Sequence, residues 1–300
     1  MAENIWATLS NQLAETTATV GRSVVAVHGR RHPSSGIFWS GDSVVTTNHT
    51  LRRDDDISIV IGPGNSTPAR IVGRDPSTDL AVLRLQQPVQ GASTRWGDAS
   101  NLRVGELVLA LGRTWRGNVV ASSGILSGLM SAWRTWHGGE LDHFIRPDLT
   151  MYPGFSGGPL VNAQGEVLGM NTTGLHRSGI TIPAATVARV AVELLEKGRI
   201  ERPYLGLAMQ AVALPESLRT KLNLMSSEGL LVVHVEPGSP AEKGGVLLGD
   251  VLIEIGGRAL ADIDGVQEAL RSHKSGDSVE IGLVRGGALI KVNVTLAARP

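Results

Sequence analysis

The sequence predicts a mainly β chain, with a barrel or sandwich followed by a smaller α+β unit. Three observations carry this. Between about Arg22 and Thr181, apolar and polar residues alternate in short runs separated by Gly, Pro, Asn and Asp. That is the pattern of half-buried strands joined by tight turns. The 300 residues include 37 glycines, which points to many turns. After residue 184 the period changes from two to that of a helix, and a second group of strands follows a charged junction.

Along the chain, Ile5, Leu9 and Leu13 recur at i, i+4 and i+8, so residues 1–20 are expected to hold a short amphipathic helix. It either packs on its own domain or acts as an arm that docks a neighbouring subunit. The strand-like runs are SVVAVHG, DSVVTTNH, DISIVIGPG, LAVLRLQQP, ELVLALG, NVVASSGILSG and EVLGMNTTG. AATVARVAVELLEKG (184–198) reads as a helix with Val187, Val190, Leu194 and Leu195 as its apolar stripe and Lys197-Gly198 as its end. Residues 21–198 thus form one unit, and the run from 199 to Pro203 is a linker. From 204 to 300, GLLVVHVEP and GDVLIEIGG are strands. DIDGVQEALRSHK is a helix capped by Asp262 or Asp264, with Val266, Ala269, Leu270 and His273 on one side. The last run is a hairpin turning at Gly286-Gly287.

Composition excludes several functions. The net charge is +0, so no basic face points to nucleic acid. With Cys 0 there is no disulfide, thiol nucleophile or cysteine metal site. The spacings of His28 with His32, and of His137 with His143, suit no familiar metal site, and no cofactor is expected. The cluster from Arg52 to Asp56 reads as a solvated loop. No apolar run approaches a membrane span. The first twenty residues lack the basic and apolar parts of a secretory signal, so the expected compartment is the cytoplasm.

The chemistry centres on MYPGFSGGPL, where Ser156 stands between glycines. Gly154-Phe155-Ser156-Gly157-Gly158 fits the nucleophile elbow of α/β-hydrolases, but that elbow opens a helix and has its partners downstream. Here Gly-Gly-Pro and a β period follow the serine. The other reading is the chymotrypsin order of His, Asp and Ser. His49 ends an apolar strand, and Asp79 directly precedes another. A chymotrypsin-like double β-barrel would bring both to Ser156. Ser156 would attack a carbonyl, His49 would carry the proton and Asp79 would orient the imidazole. The N–H groups of Gly154 and Ser156 would face the oxyanion. The loop 131–144, with two tryptophans and two histidines, reads as a long hairpin tip.

VVTTNHTL, RDPSTDLAVLRL, NLRVGELVLALG and PGFSGGPLVNAQGEVLGMNTTG, with the helix after them, resemble the HtrA (DegP/DegS-like) trypsin-fold serine proteases. YLGL at 204–207 and GSPAEKGGVLLGDVLIEIGG at 238–257 resemble that family's PDZ domain. The resemblance implies a double-barrel endopeptidase followed by an α+β PDZ domain, with His49, Asp79 and Ser156 on the triad positions. It implies ATP-independent action on unfolded polypeptides, and cleavage after a small or medium aliphatic residue selected near the strand from Gly169 to Gly174. It also implies homotrimers or larger assemblies, for which Trp6 would serve the arm. Tyr204, Leu205, Gly206 and Leu207 would form the loop that holds a peptide's C-terminal carboxylate, and the helix after Asp264 the other groove wall.

The chain departs from the family at four places. Phe155 and Tyr152 stand where Asn is usual, Thr47 replaces an Asn, and LGRTWRG replaces a small turn. Phe155 needs an apolar pocket if the oxyanion loop is to keep its shape. The acidic residue that precedes the serine in trypsin is absent, so activation by propeptide cleavage is not expected. Peptide binding or assembly would order the loops instead. A latent or inactive peptide-binding or chaperone-like module is the alternative.

Overall fold

Twelve strands close into two barrels among the described residues of the computed structural model. The structure describes residues 4–298 apart from 30–33, 53–54, 88–93, 137 and 271–272. His32, Arg53, Asp54 and His137 therefore lie outside the described residues, as do residues 1–3 of the expected arm. The described residues divide into two units, one ending at Ile200 and the other starting at Glu201.

The first unit opens with α1 (Ile5–Gly21), whose first turn is capped by the Asn4 side chain at 3.1 Å from the Trp6 N–H. Leu13 and Val20 pack into the core, while Ile5 and Trp6 are each 76% exposed. The helix therefore packs on its own unit and leaves its first turn to solvent.

The first barrel is built from β1 (Val24–His28), β2 (Ser34–Ser40), β3 (Ser43–Thr47), β4 (Ile57–Gly62), β5 (Asn65–Asp75) and β6 (Leu80–Leu85), in the order β1-β2-β3-β6-β5-β4. Val25, Val27, Ile59 and Leu83 fill it. The second barrel uses β7 (Leu107–Arg113) and β8 (Val119–Met130), and resumes after a small hairpin of β9 (Trp133–Arg134) and β10 (Glu140–Leu141). It is completed by β11 (Phe144–Asp148), β12 (Pro159–Asn162), β13 (Val167–Thr172) and β14 (Ile180–Pro183). Its order is β11-β14-β13-β12-β7-β8.

A shared core joins the barrels. Ile37, Val45 and Leu80 from the first meet Leu111, Met170 and Ile182 from the second, and α2 (Ala184–Lys197) adds Val187, Val190 and Leu194. Each such side chain, fully buried, stabilises by about 1.5–3 kcal/mol. This layer fixes one barrel against the other and so fixes whatever lies in the cleft between them.

The second unit is an α+β domain. Its main sheet runs β16 (Leu207–Ala213), β17 (Glu228–Val235), β18 (Val251–Ile255), β20 (Ser278–Arg285), β21 (Ala288–Thr295), with β19 (Arg258–Ala259) on β18. β15 (Pro203–Tyr204) pairs with β22 (Ala297–Ala298). α3 (Glu216–Leu222), α4 (Pro240–Lys243) and α5 (Ile263–Leu270) complete it. Asp262 caps α5 by accepting the Gly265 N–H at 2.7 Å. Val266, Ala269 and Leu270 face the core as the spacing predicts, whereas His273 is not helical.

Candidate active site

Strand register brings His49 to Asp79. β3 and β6 pair antiparallel with Thr47 opposite Leu80, so the residues just past each strand end face one another. A one-residue slip would turn every inward side chain outward, which is why the register is firmly specified. His49 sits in a 3₁₀ turn, Asn48–Thr50, that continues β3. Asp79 immediately precedes β6 and takes a positive φ of 59°. Its carbonyl accepts the Asn48 N–H at 3.0 Å, and its Oδ1 accepts the His49 N–H at 2.8 Å. Its Oδ2 lies 2.7 Å from His49 Nδ1. Asp79 is thus bonded to both the ring and the backbone of the histidine turn.

A third group reaches that carboxylate. Thr172, at the end of β13, donates its hydroxyl to Asp79 Oδ2 across 93 positions of sequence. Gly174 lies against the same pair, and a Cβ there would come within 2.5 Å of His49 Nδ1 and 2.7 Å of Asp79 Oδ2. Neither residue is singled out by the sequence. The only hint is that both belong to the 169–174 segment expected to line the substrate pocket.

The turn before Asp79 is organised by Asp75, which is 2% exposed. Asp75 accepts from the hydroxyls of Ser77 and Thr78, each at 2.7 Å. Thr135, from the β9–β10 hairpin, donates to the Ser77 carbonyl at 2.6 Å. The hairpin expected to be a loop tip therefore also braces the turn that carries Asp79.

Ser156 is 8% exposed and follows Gly154, whose φ is 100°. The Phe155 N–H donates to the Tyr152 carbonyl at 3.0 Å, and the Phe155 carbonyl accepts the Gly158 N–H at 2.9 Å. Among the described residues the N–H groups of Gly154 and Ser156 have no acceptor. Two donors in one tight loop can face an anion. The Phe155 side chain is 2% exposed and packs among Val108, Ala110, Leu126, Ile145, Leu160 and Leu168. It finds its apolar pocket in the second barrel. Tyr152 stacks obliquely on it with ring centroids 5.8 Å apart.

The Ser156 hydroxyl is turned toward Thr173, 3.2 Å from its Oγ1 and 3.3 Å from its N–H. It makes no hydrogen bond to His49 in this arrangement. The His49 side chain is 31% exposed, so the ring is open to an incoming group. Among the described residues no group of three His, Cys, Asp or Glu side chains is placed to hold a metal. His28 ends β1, and burial lowers its pKa and favours the neutral ring.

In the second unit, Tyr204 lies in β15 and Leu207 opens β16. β16 is an edge strand, paired on one side by β17, and α5 packs against it. Gly206 has a φ of 78°, and a Cβ there would fall 2.2 Å from Ser239 Cβ. The Leu205 and Gly206 carbonyls accept the N–H groups of Ala241 and Glu236, each at 2.9 Å. Their own N–H groups have no acceptor among the described residues. Leu207 packs against the core cluster that includes Leu205, Val266 and Leu270. An open sheet edge, two amides without acceptors and a partly buried leucine thus lie together at this loop.

Residues 34–170 match the trypsin-like peptidase domain family, and residues 203–296 match the PDZ domain family. The chain is 32% identical over 273 residues to the probable periplasmic serine endoprotease DegP-like of Bartonella henselae, covering 89% of this chain and 53% of that protein. It is 32% identical over 268 residues to the serine protease Do-like HtrA of Lactobacillus helveticus, with 84% and 64% covered. It is 31% identical over 259 residues to the periplasmic pH-dependent serine endoprotease DegQ of Escherichia coli, with 84% and 56% covered. The chain thus spans less than two thirds of the length of each of these relatives. Among solved structures, the HtrA-type protease AlgW with a decapeptide superposes with a TM-score of 0.75 at 25% identity, covering 96% of this chain and 98% of that one. The serine endoprotease from Yersinia pestis superposes with a TM-score of 0.74 at 25% identity, covering 97% and 98%. No helix among the described residues is long and apolar enough to cross a membrane. With two six-stranded barrels followed by an α+β domain, the chain carries a trypsin-like peptidase domain and a PDZ domain in that order, and along most of its length it is similar to HtrA-type proteases.

Proposed function

We propose that the chain is an ATP-independent serine endopeptidase that cleaves misfolded or unassembled proteins. The observation that carries this is the His49–Asp79 pair, bonded at 2.7 Å, in the same unit as a serine loop with two unused amides. Ser156 Oγ attacks the scissile carbonyl after turning from Thr173 toward the imidazole. His49 Nε2 takes the hydroxyl proton and later gives it to the leaving amine. Asp79 keeps Nδ1 protonated and stabilises the imidazolium. The developing oxyanion accepts from the Gly154 and Ser156 N–H groups. In the second unit, the Tyr204–Leu207 loop receives the carboxylate of a peptide C-terminus, and the peptide extends along β16 as an added strand. Relatives named serine endoproteases and a related structure named with a decapeptide support both parts.

Incubation with unfolded β-casein tests the reading, with cleavage sites mapped by mass spectrometry. Cleavage by the natural chain, and none by Ser156→Ala or His49→Ala, is the expected result. One observation favours a second reading, a latent site that needs a trigger: the Ser156 hydroxyl is held by Thr173 rather than by His49. Cleavage that appears only after a C-terminal peptide is added would select that reading. Assembly into trimers or larger forms through the exposed Trp6 is measured by sedimentation. A cytoplasmic site of action, expected from the sequence, stands beside relatives named periplasmic, and fractionation of tagged cells decides between them.

A further inference from the structure

Phe155 anchors the serine loop only through its buried ring, so other groups must hold the loop's backbone. Ser35, on β2, is fully buried and grips the loop twice. Its N–H donates to the Ser156 carbonyl at 2.9 Å, and its hydroxyl donates to the Gly154 carbonyl at 2.6 Å. The same hydroxyl accepts the Arg113 N–H at 2.9 Å. A hydroxyl has one proton to give, and the Arg113 amide leaves that proton aimed at Gly154.

Arg113 is itself fixed. It is 7% exposed, and its guanidinium donates to the carbonyls of Val24 and Gly21, each at 2.6 Å, and to that of Gly117. Burial lowers its pKa from the ordinary arginine value, but the three carbonyls still satisfy the buried cation. Its backbone cannot drift without breaking bonds to three segments. The fit is close: a Cβ on neighbouring Gly112 would lie 3.2 Å from Ser35 Oγ and 3.4 Å from the Gly154 carbonyl oxygen.

Consider each peptide of the loop. The Tyr152, Gly154, Phe155 and Ser156 carbonyls are all bonded within the chain. The Pro153 carbonyl and the Gly154 N–H are not, among the described residues. From Tyr152 to Gly157, the Pro153–Gly154 peptide is therefore the one plane that no direct bond holds among the described residues. Its direction depends on the torsions of Gly154, which rests at a φ of 100° where glycine alone is at ease. Pinning the Gly154 carbonyl removes one of those two torsions.

We propose that Ser35 is a positioning residue for the reaction. Its hydroxyl, aimed by the Arg113 amide, holds the Gly154 carbonyl so that the Gly154 N–H points at the developing oxyanion. This rests on the endopeptidase reading above. Ser35 touches no substrate in this role; it acts through the peptide of Gly154.

The test compares Ser35→Ala with the natural chain, using the full chain and a peptide substrate. The expected result is a fall in kcat of about 10- to 100-fold, below the loss of a whole oxyanion donor, with KM changed less than about threefold. A peptidyl boronate, which mimics the tetrahedral adduct, should weaken by the same factor. Ser23→Ala supplies the control, because it removes another buried hydroxyl, one bonded to the Val20 carbonyl at 2.8 Å, and should leave kcat unchanged. If Ser35→Ala does not fold, Gly112→Ala presses on the same contact from outside and should lower kcat several-fold. An active natural chain whose Ser35→Ala and Gly112→Ala forms keep its kcat and boronate affinity overturns this inference alone. A natural chain that does not hydrolyse peptide, or one whose activity survives Ser156→Ala, overturns the endopeptidase reading, and this inference with it.

Discussion

Thr172 donates its hydroxyl to the same Asp79 oxygen that faces His49 Nδ1. The carboxylate is 3% exposed, so no water can take over either bond freely. A hydrogen bond to a charged group is worth about 1.5–3 kcal/mol. Thr172→Val should therefore lower kcat/KM by about 10- to 100-fold through a misaimed imidazole. Thr172→Ser, which keeps the hydroxyl, should retain most activity. Steady-state kinetics on a peptide substrate checks both.

Gly174 offers a sharper perturbation. Gly174 is itself exposed and has an ordinary backbone conformation, so Gly174→Ala should fold. The added methyl would nevertheless sit 2.5 Å from His49 Nδ1 and force the ring aside. Activity should fall more than about 100-fold, while the melting curve stays close to that of the natural chain. Parallel calorimetry and kinetics make the separation visible.

Phe155 couples stability to the site. Phe155→Ala empties a pocket lined by Leu126, Ile145 and Leu160 and should cost about 3–5 kcal/mol. It should also lower kcat, since the ring anchors the residue between the two amide donors. Phe155→Asn, the residue usual in the family, puts a polar amide into that apolar pocket and should destabilise this chain rather than improve it. Chemical denaturation gives the stability change, and the same samples give kcat.

The residues of the site differ in how legible they are in the sequence. His49 and Asp79 could be read because each sits at the end of a strand whose period is plain, and register then makes them meet. Ser156 could be read from its glycines and from the order of its partners. Thr172 could not, because a threonine ending MNTTG looks like any strand residue until β13 is set beside the Asp79 turn. Ser35 was hidden for the same reason, with its partners 119 and 78 positions away. The helical period continues in the sequence to His273, whereas α5 is described as Ile263–Leu270 and His273 is not helical. The pocket of Phe155 is not legible in the sequence because it comes from five strands, β7, β8, β11, β12 and β13.

The groove in the second unit makes its own prediction. Gly206 needs its positive φ, and a side chain there would strike Ser239. Gly206→Ala should weaken binding of a C-terminal peptide by more than about tenfold, because the loop's amides would move from the carboxylate. Amidating the peptide's C-terminus should have a comparable effect on the natural chain. Fluorescence anisotropy with a labelled peptide measures both.

Acid should loosen that unit through Asp250. Burial opposes the charge, but hydrogen bonds from Arg285 and from the Leu247 N–H, with the guanidinium charge, outweigh it, and the Asp250 carboxyl lies below its ordinary value. A carboxyl with a depressed folded pKa contributes stability above its unfolded value, near 3.9, and that stability is lost as pH falls through the folded value. Denaturant unfolding below about pH 4 should thus weaken the natural chain more steeply than Asp250→Asn, which starts less stable.

The central claim is that Ser156 is a nucleophile activated by His49 and oriented against two backbone amides. A fluorophosphonate tests it most directly, since it bonds only to a serine so activated. Intact-mass and peptide mapping after labelling should place one adduct on the peptide containing Ser156, with none in Ser156→Ala and little in His49→Ala. Absence of that adduct in the natural chain, with or without a C-terminal peptide present, would contradict the account.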